Sequence, residues 1–152
     1  MISIPPRKWY PKNPEKYVGD PNNIITRSSW ETKCMSWFDS NTNVISWASE
    51  EISIPYISPV DNRRHLYFPD FLVKVKTLDG TIKTIMVEVK PYKQTQPPKQ
   101  RTKITKQYIN EVTTYGINQA KWKYASEYCL DRGIEFRIIT EKELGLELGK
   151  NK

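Results

Sequence analysis

Two acids and one lysine hold the chemistry most readily available to this 152-residue chain. Asp70 lies in Phe68-Pro69-Asp70-Phe71, and Glu88 and Lys90 lie in Val87-Glu88-Val89-Lys90, with Leu78-Asp79-Gly80 between the two blocks. Runs rich in Val, Ile and Phe that meet at Asp-Gly read as a β-hairpin. Side chains alternate along a strand, so Glu88 and Lys90 share one face and Val87 and Val89 share the other.

Whether Asp70 joins them depends on register. A two-residue Asp79-Gly80 turn would pair 78 with 81, setting Asp70 opposite Val89 and Glu88 opposite Phe71, and so mixing charge with core on both faces. If Gly80 takes the left-handed position of a three-residue loop, 77 pairs with 81 and Asp70 faces Glu88. Phe71, Val73 and Val75 then share a face with Val87, Ile85 and Lys83, while Asp70, Glu88 and Lys90 gather on the other. Burial of one face constrains register strongly. We therefore expect the odd-length loop or an equivalent bulge.

Carboxylates directly opposed across a hairpin have β-carbons about 5 Å apart, close enough to share one divalent ion. Hard oxygen donors with no His or Cys beside them favour Mg²⁺, with Mn²⁺ as a substitute. Such an ion acidifies a water and stabilises charge on phosphoryl oxygens, and Lys90 would sit beside that water. The Val89 carbonyl could add a further ligand. Taken singly, Pro-Asp at a strand start and Glu-x-Lys on a strand face are ordinary. Together they set two like charges opposite one another, a conflict that a cation would remove.

The elements that must position this hairpin follow from periodicity. Ser28, with Glu31 three residues on, opens a helix whose apolar residues are Trp30, Cys34, Trp37 and Phe38. Strands are expected over 44–47, 52–56, 66–76 and 82–90, then a polar, proline-bearing mobile loop over 91–101. Residues 103–131 read as a helix broken near Gly116, with Ile104, Tyr108 and Val112 on one stripe and Trp122, Ala125 and Cys129 on the next. Gly133 is placed to cap it, 134–140 is a last strand, and Thr140 with Glu143 opens a terminal helix. Residues 1–25 carry Pro5, Pro6, Pro11, Pro14 and Pro21 and read as an extended arm, either strapped over the core through Trp9 and Tyr10 or free to bind a partner. Residues 26–152 form one domain, since the chain is too short for a second large core.

Composition narrows the partner. A net charge of +7 and a pI near 9.3 favour a polyanion. Lys93, Lys99, Arg101, Lys103 and Lys106 follow Lys90 closely and must emerge near it, with Lys121 a weaker member further on. His65 is read as having no catalytic role. Cys34 and Cys129 are too few and too far apart for a zinc site or disulfide framework and are expected to be reduced core thiols. With no run near the roughly 20 apolar residues of a membrane span and no signal-like N-terminus, an intracellular, soluble protein is expected.

The set Pro69-Asp70, Glu88, Val89 and Lys90 resembles the signature of the PD-(D/E)xK, restriction-endonuclease-like nucleases. That resemblance implies an α/β fold with an αβββαβ core, its mixed sheet flanked by helices. It implies that Asp70 and Glu88 ligate metal and that Lys90 assists the attacking water. Nucleases of this kind often carry a glutamate of the metal site on the first helix, so the resemblance implies that Glu31 is a further catalytic acid and metal ligand, although Glu31 also suits a capping box. The blocks Tyr67 to Phe71 and Val87 to Pro91, with the tail around Lys121-Trp122 and Phe136 to Thr140, are more narrowly similar to the head completion nucleases of T-even-like bacteriophages. They also resemble the endonuclease subunit of heteromeric transposases. The phage likeness implies a metal-dependent DNA endonuclease that finishes DNA-filled heads in the host cytoplasm, with portal or neck proteins as partners. Two alternatives share the fold: a non-catalytic DNA- or portal-binding assembly protein, and a transposon-end nuclease. With no recognition helix evident, sequence specificity should be slight.

Overall fold

A computed structural model describes residues 3–145. Strand β1 (Ser3–Trp9) pairs antiparallel with β2 (Ile24–Ser28), and helix α1 (Ser29–Ser40) follows. Next come β3 (Val44–Ser49), β4 (Ile54–Ile57), β5 (Arg64–Tyr67), β6 (Phe71–Lys76) and β7 (Ile82–Val89). Helix α2 (Lys106–Arg132), β8 (Glu135–Ile139) and helix α3 (Glu141–Leu144) close the described chain. The central sheet has the order β3-β6-β7-β8, with β7 and β8 parallel and the other pairs antiparallel. Read with α1 and α2, this is the expected αβββαβ core with a mixed sheet.

Each face of the sheet is covered by one helix. Trp30, Cys34, Met35 and Phe38 of α1 pack on Trp47, Phe71, Val73, Ile85, Val87 and Val89. Trp122, Ala125 and Cys129 of α2 pack on Met86 from the other side, with Ile54, Tyr56 and Tyr67 of the β4-β5 hairpin completing that cluster. Residues 85–89 of β7 are therefore all buried, as a central strand covered on both faces must be. Both cysteines are buried free thiols.

The β6-β7 register is the one that the apolar residues require. Phe71 pairs with Val87, Val73 with Ile85 and Lys76 with Ile82. The turn closes through a bond from Thr77 N to Thr81 O of 2.8 Å, with Gly80 at φ +86° in the left-handed region. One part of the face assignment changes: the face of Glu88 also carries Met86, fully buried under α2. Both faces are core, and the acids sit at the end of one.

Several boundaries differ from the sequence reading. The strand expected over 66–76 is two, because Pro69 lacks a ladder donor and Phe68-Pro69-Asp70 redirects the chain from the β4-β5 hairpin into the main sheet. The strand expected over 52–56 is β4, two residues later at its start. Helix α2 begins at Lys106, where the Thr105 hydroxyl accepts from Tyr108 N at 3.1 Å, and it passes through Gly116 unbroken. A single helical glycine costs only about 1 kcal/mol, and the packing of Trp122, Ala125 and Cys129 outweighs it. The stripe expected at Ile104 and Val112 is not core: they are 65% and 46% exposed. Trp37 is likewise exposed. The expected loop after Lys90 contains a 3₁₀ turn, Tyr92–Thr95.

The proline-rich N-terminal segment is extended over β1 and packs closely on the domain. Its pairing shifts between Ser3 and Arg7, so Pro5 and Pro6 fall where no ladder bond is made. Trp9 packs half-buried on the core while Tyr10 is exposed. Lys12 N and Asn13 N donate to the two carboxylate oxygens of the buried Asp39 at 2.9 and 3.0 Å, tying the segment to the end of α1. Tyr17 enters the core beside Trp47 with ring centroids 4.8 Å apart. Residues 1–2 and 146–152, at the two ends of the expected arm and domain, lie outside the described residues.

Candidate active site

At the end of the β6-β7 ladder the last paired residues are Phe71 and Val87, and Asp70 and Glu88 extend past them on the same side. Asp70 Oδ2 accepts from Val89 N at 2.7 Å, taking the place of the strand partner that Pro69 ends. The Asp70 carbonyl accepts from Glu50 N at 3.1 Å, and Glu50 adopts φ +55° to make that bond. Both the backbone and the side chain of Asp70 are thus held.

Glu88 is buried, at 6% exposure, in the α2-side cluster. Tyr67 Oη donates to Glu88 Oε1 at 2.6 Å, and Lys90 Nζ lies 3.4 Å from Glu88 Oε2. Burial pushes the Asp70 carboxyl well above the ordinary carboxylate range, the Glu88 charge adds to that, and the Val89 N–H opposes it. Burial raises Glu88 as well, against the pull of the Lys90 ammonium and the Tyr67 hydroxyl. The two acids form one strained electrostatic unit.

Glu31 arrives from α1, on the other side of the sheet. Ser28 Oγ accepts from Glu31 N at 3.1 Å, while the Glu31 carboxylate accepts from Arg27 N at 3.0 Å. The capping box is therefore only half made, since its return bond goes to Arg27 and not to Ser28. Burial raises the Glu31 carboxyl, the Arg27 N–H lowers it, and Glu50 and Glu88 raise it further. Its charge in turn raises Asp70. Glu31 shares the electrostatic neighbourhood of the pair. Among the described residues, no three His, Cys, Asp or Glu side chains converge into a ligand set complete by itself.

A divalent ion still suits these residues. Mg²⁺ commonly takes one or two carboxylates and completes its shell with water and substrate phosphate. Asp70 and Glu88 are hard oxygen donors whose mutual repulsion a bound cation would relieve, and each has one oxygen anchored by an N–H or O–H donor. The N–H and C=O of one extended residue point to the same strand edge, so the Val89 carbonyl lies on the edge that Asp70 occupies.

Two contributors were not foreseen as site residues, and a third stands elsewhere than expected. Tyr67 holds Glu88, and its only trace in the sequence is its place in the Tyr67-to-Phe71 block. Glu50 shows no sequence signal, because its role rests on a left-handed backbone bond. Lys121, expected on a DNA-binding surface, instead stands half-buried over the rings of Tyr67 and Tyr56, its Nζ 5.6 and 6.0 Å from their centroids. Burial and the Lys90 charge lower its pKa, while Glu88 and Asp70 oppose them. Its position next to the buried Trp122, four residues before Ala125, was the available clue. Lys93, Lys99, Arg101, Lys103 and Lys106 are exposed on the loop and first turn after Lys90, with Arg101 3.9 Å from Glu111. His65 is exposed and bonds Asp61 at 2.8 Å.

The family model described as the TnsA-like endonuclease N-terminal domain matches residues 41–141, a span that includes Asp70, Glu88 and Lys90 and begins after Glu31. The chain is also 40% identical over 141 residues, 90% of its own length and 91% of the relative's, to a protein named Head completion nuclease from Enterobacteria phage T4. Geometry and sequence likeness lead to one assignment: the chain belongs to the TnsA-like endonuclease N-terminal family.

Proposed function

We propose that the chain is a Mg²⁺-dependent DNA endonuclease that hydrolyses phosphodiester bonds during phage head completion, after DNA packaging. The observation that carries this reading is the meeting of Asp70, Glu88 and Lys90 at the end of the central hairpin, two acids held by anchored oxygens beside one ammonium. The name of the phage relative supports the setting, with portal or neck proteins as partners in the infected host cell. Among the described residues, no helix is long and apolar enough to cross a membrane.

Asp70 and Glu88 would hold the ion, with the Val89 carbonyl as a further ligand and Glu31 acting from outside. Bound there, Mg²⁺, or Mn²⁺ in its place, supplies Lewis-acid polarisation of the phosphoryl group and a more acidic water. Lys90, kept beside Glu88, donates to the attacking water or to the phosphoryl oxygens and offsets their charge. Lys121 adds a second, half-buried cation where the phosphate would bring negative charge. Tyr67 fixes the Glu88 carboxylate so that one oxygen stays turned to the site. Lys93, Lys99, Arg101, Lys103 and Lys106 would contact the DNA backbone.

Plasmid cleavage in Mg²⁺ by the wild type, Asp70→Ala and Lys90→Ala tests this. Wild-type cleavage lost in both variants is expected, and equal cleavage by all three would refute the site. A wild type that binds DNA but never cuts it would favour the assembly-protein reading instead.

A further inference from the structure

The loop after Lys90 and the first half of α2 enclose a cleft of about 930 Å³ that the carboxylate site does not use. Lys93, Lys99 and Arg101 line it from the loop, and Gln107, Asn110 and Asn118 line it from α2. Asn118 is only 6% exposed, so the cleft has a buried polar floor. Glu111 lines the cleft as well; its Oε1 is buried without a hydrogen-bond partner, and Arg101 Nη2 lies 3.9 Å from it. Glu141 also borders the cleft, but its carboxylate is occupied by Tyr92 N at 2.8 Å.

This lining differs from a surface that only grips phosphates. A duplex-backbone surface is built from cations with amide and hydroxyl donors, and a carboxylate among them would weaken it. Nucleobase edges need the opposite: carboxylates accept from base amino groups, and Asn and Gln pair with bases in both directions. The volume lies within the roughly 300–1,000 Å³ of small-ligand sites, far too small for a duplex whose major groove alone is about 12 Å wide. Lys93 is the third residue after Lys90, at most about 11 Å of chain away. A strand leaving the acids enters this cleft within a few nucleotides.

We infer that the cleft takes the bases of an unpaired DNA strand running from the cut site, with Lys93 and Lys99 on its phosphates and Asn110, Glu111 and Asn118 on its base edges. The substrate is then DNA with a single-stranded segment next to the scissile bond. This rests on the DNA-nuclease reading above.

Fluorescence anisotropy in EDTA, with a labelled blunt duplex and the same duplex bearing an unpaired oligo-dC tail, measures it without catalysis. The wild type should prefer the tailed DNA by about tenfold, the scale of one good base contact. Asn110→Ala with Glu111→Ala should abolish that preference, while blunt-duplex affinity holds or rises as the carboxylate facing Arg101 is removed. Gln107→Ala, at an exposed position that folding tolerates, should reduce it. Equal wild-type binding of the two DNAs, or a tail preference that survives in the Asn110/Glu111 variant, would overturn the inference and leave the nuclease reading intact. Failure to bind the tailed DNA at all would overturn the inference as well.

Discussion

Replacing Tyr67 with Phe removes one hydroxyl and leaves the ring in place. That hydroxyl donates to Glu88 Oε1 at 2.6 Å, and the two residues are 4% and 6% exposed, so water cannot readily substitute. A hydrogen bond to a charged group contributes roughly 1.5–3 kcal/mol. For a chain of this length each kcal/mol shifts Tm by about 2–4 °C, so a loss of about 3–12 °C is expected at neutral pH. The loss should depend on pH. Burial already raises the Glu88 carboxyl, so its ionisation costs stability as pH rises from the unfolded carboxylate range through the folded value. The Tyr67 hydroxyl offsets part of that cost, and without it the folded value rises further. The difference between wild type and Tyr67→Phe should therefore be small at acid pH, where Glu88 is protonated in both, and should widen toward pH 8. Urea unfolding in EDTA across that range measures it. A gap independent of pH, or no gap, would show that the hydroxyl does not stabilise an ionised Glu88, and would undo the account of how the site is held.

The remaining predictions concern the acids, the turn and the lysines. Asp70→Asn should raise the metal-free Tm, because it relieves repulsion with Glu88, while abolishing cleavage; Mg²⁺ should stabilise the wild type and not this variant, read by thermal melts with and without the ion. Gly80→Ala should cost about 1 kcal/mol in urea unfolding purely through its φ of +86°, since a β-carbon there meets no atom within 4 Å. Lys99→Ala and Lys103→Ala should each lower the slope of log affinity against log salt by about 1 with little change in sequence preference, read by DNA binding at several salt concentrations.

Much of this protein is set by local rules that a sequence exposes. The 77–81 turn follows from Asp79-Gly80 and from the need to keep Phe71, Val73, Val87 and Ile85 on one face, and that same register commits Asp70 to the side of Glu88. Caps are equally local: Ser28, Gly133 and the Thr140-Glu143 capping box all form. What tertiary structure decided involves partners distant in sequence. The α2 helix crosses Gly116 because Trp122, Ala125 and Cys129 are anchored on Met86 and the β4-β5 hairpin, which no helical period encodes. Lys121 stands with the acids because that docking turns its side of α2 over Tyr67. Glu50 supports Asp70 through a left-handed backbone bond that its residue type gives no reason to expect. The burial that raises Asp70 and Glu88 comes from packing on both faces of β7. Alternation along a strand can bring charges together, but only the layers that cover it remove the water that would have screened them.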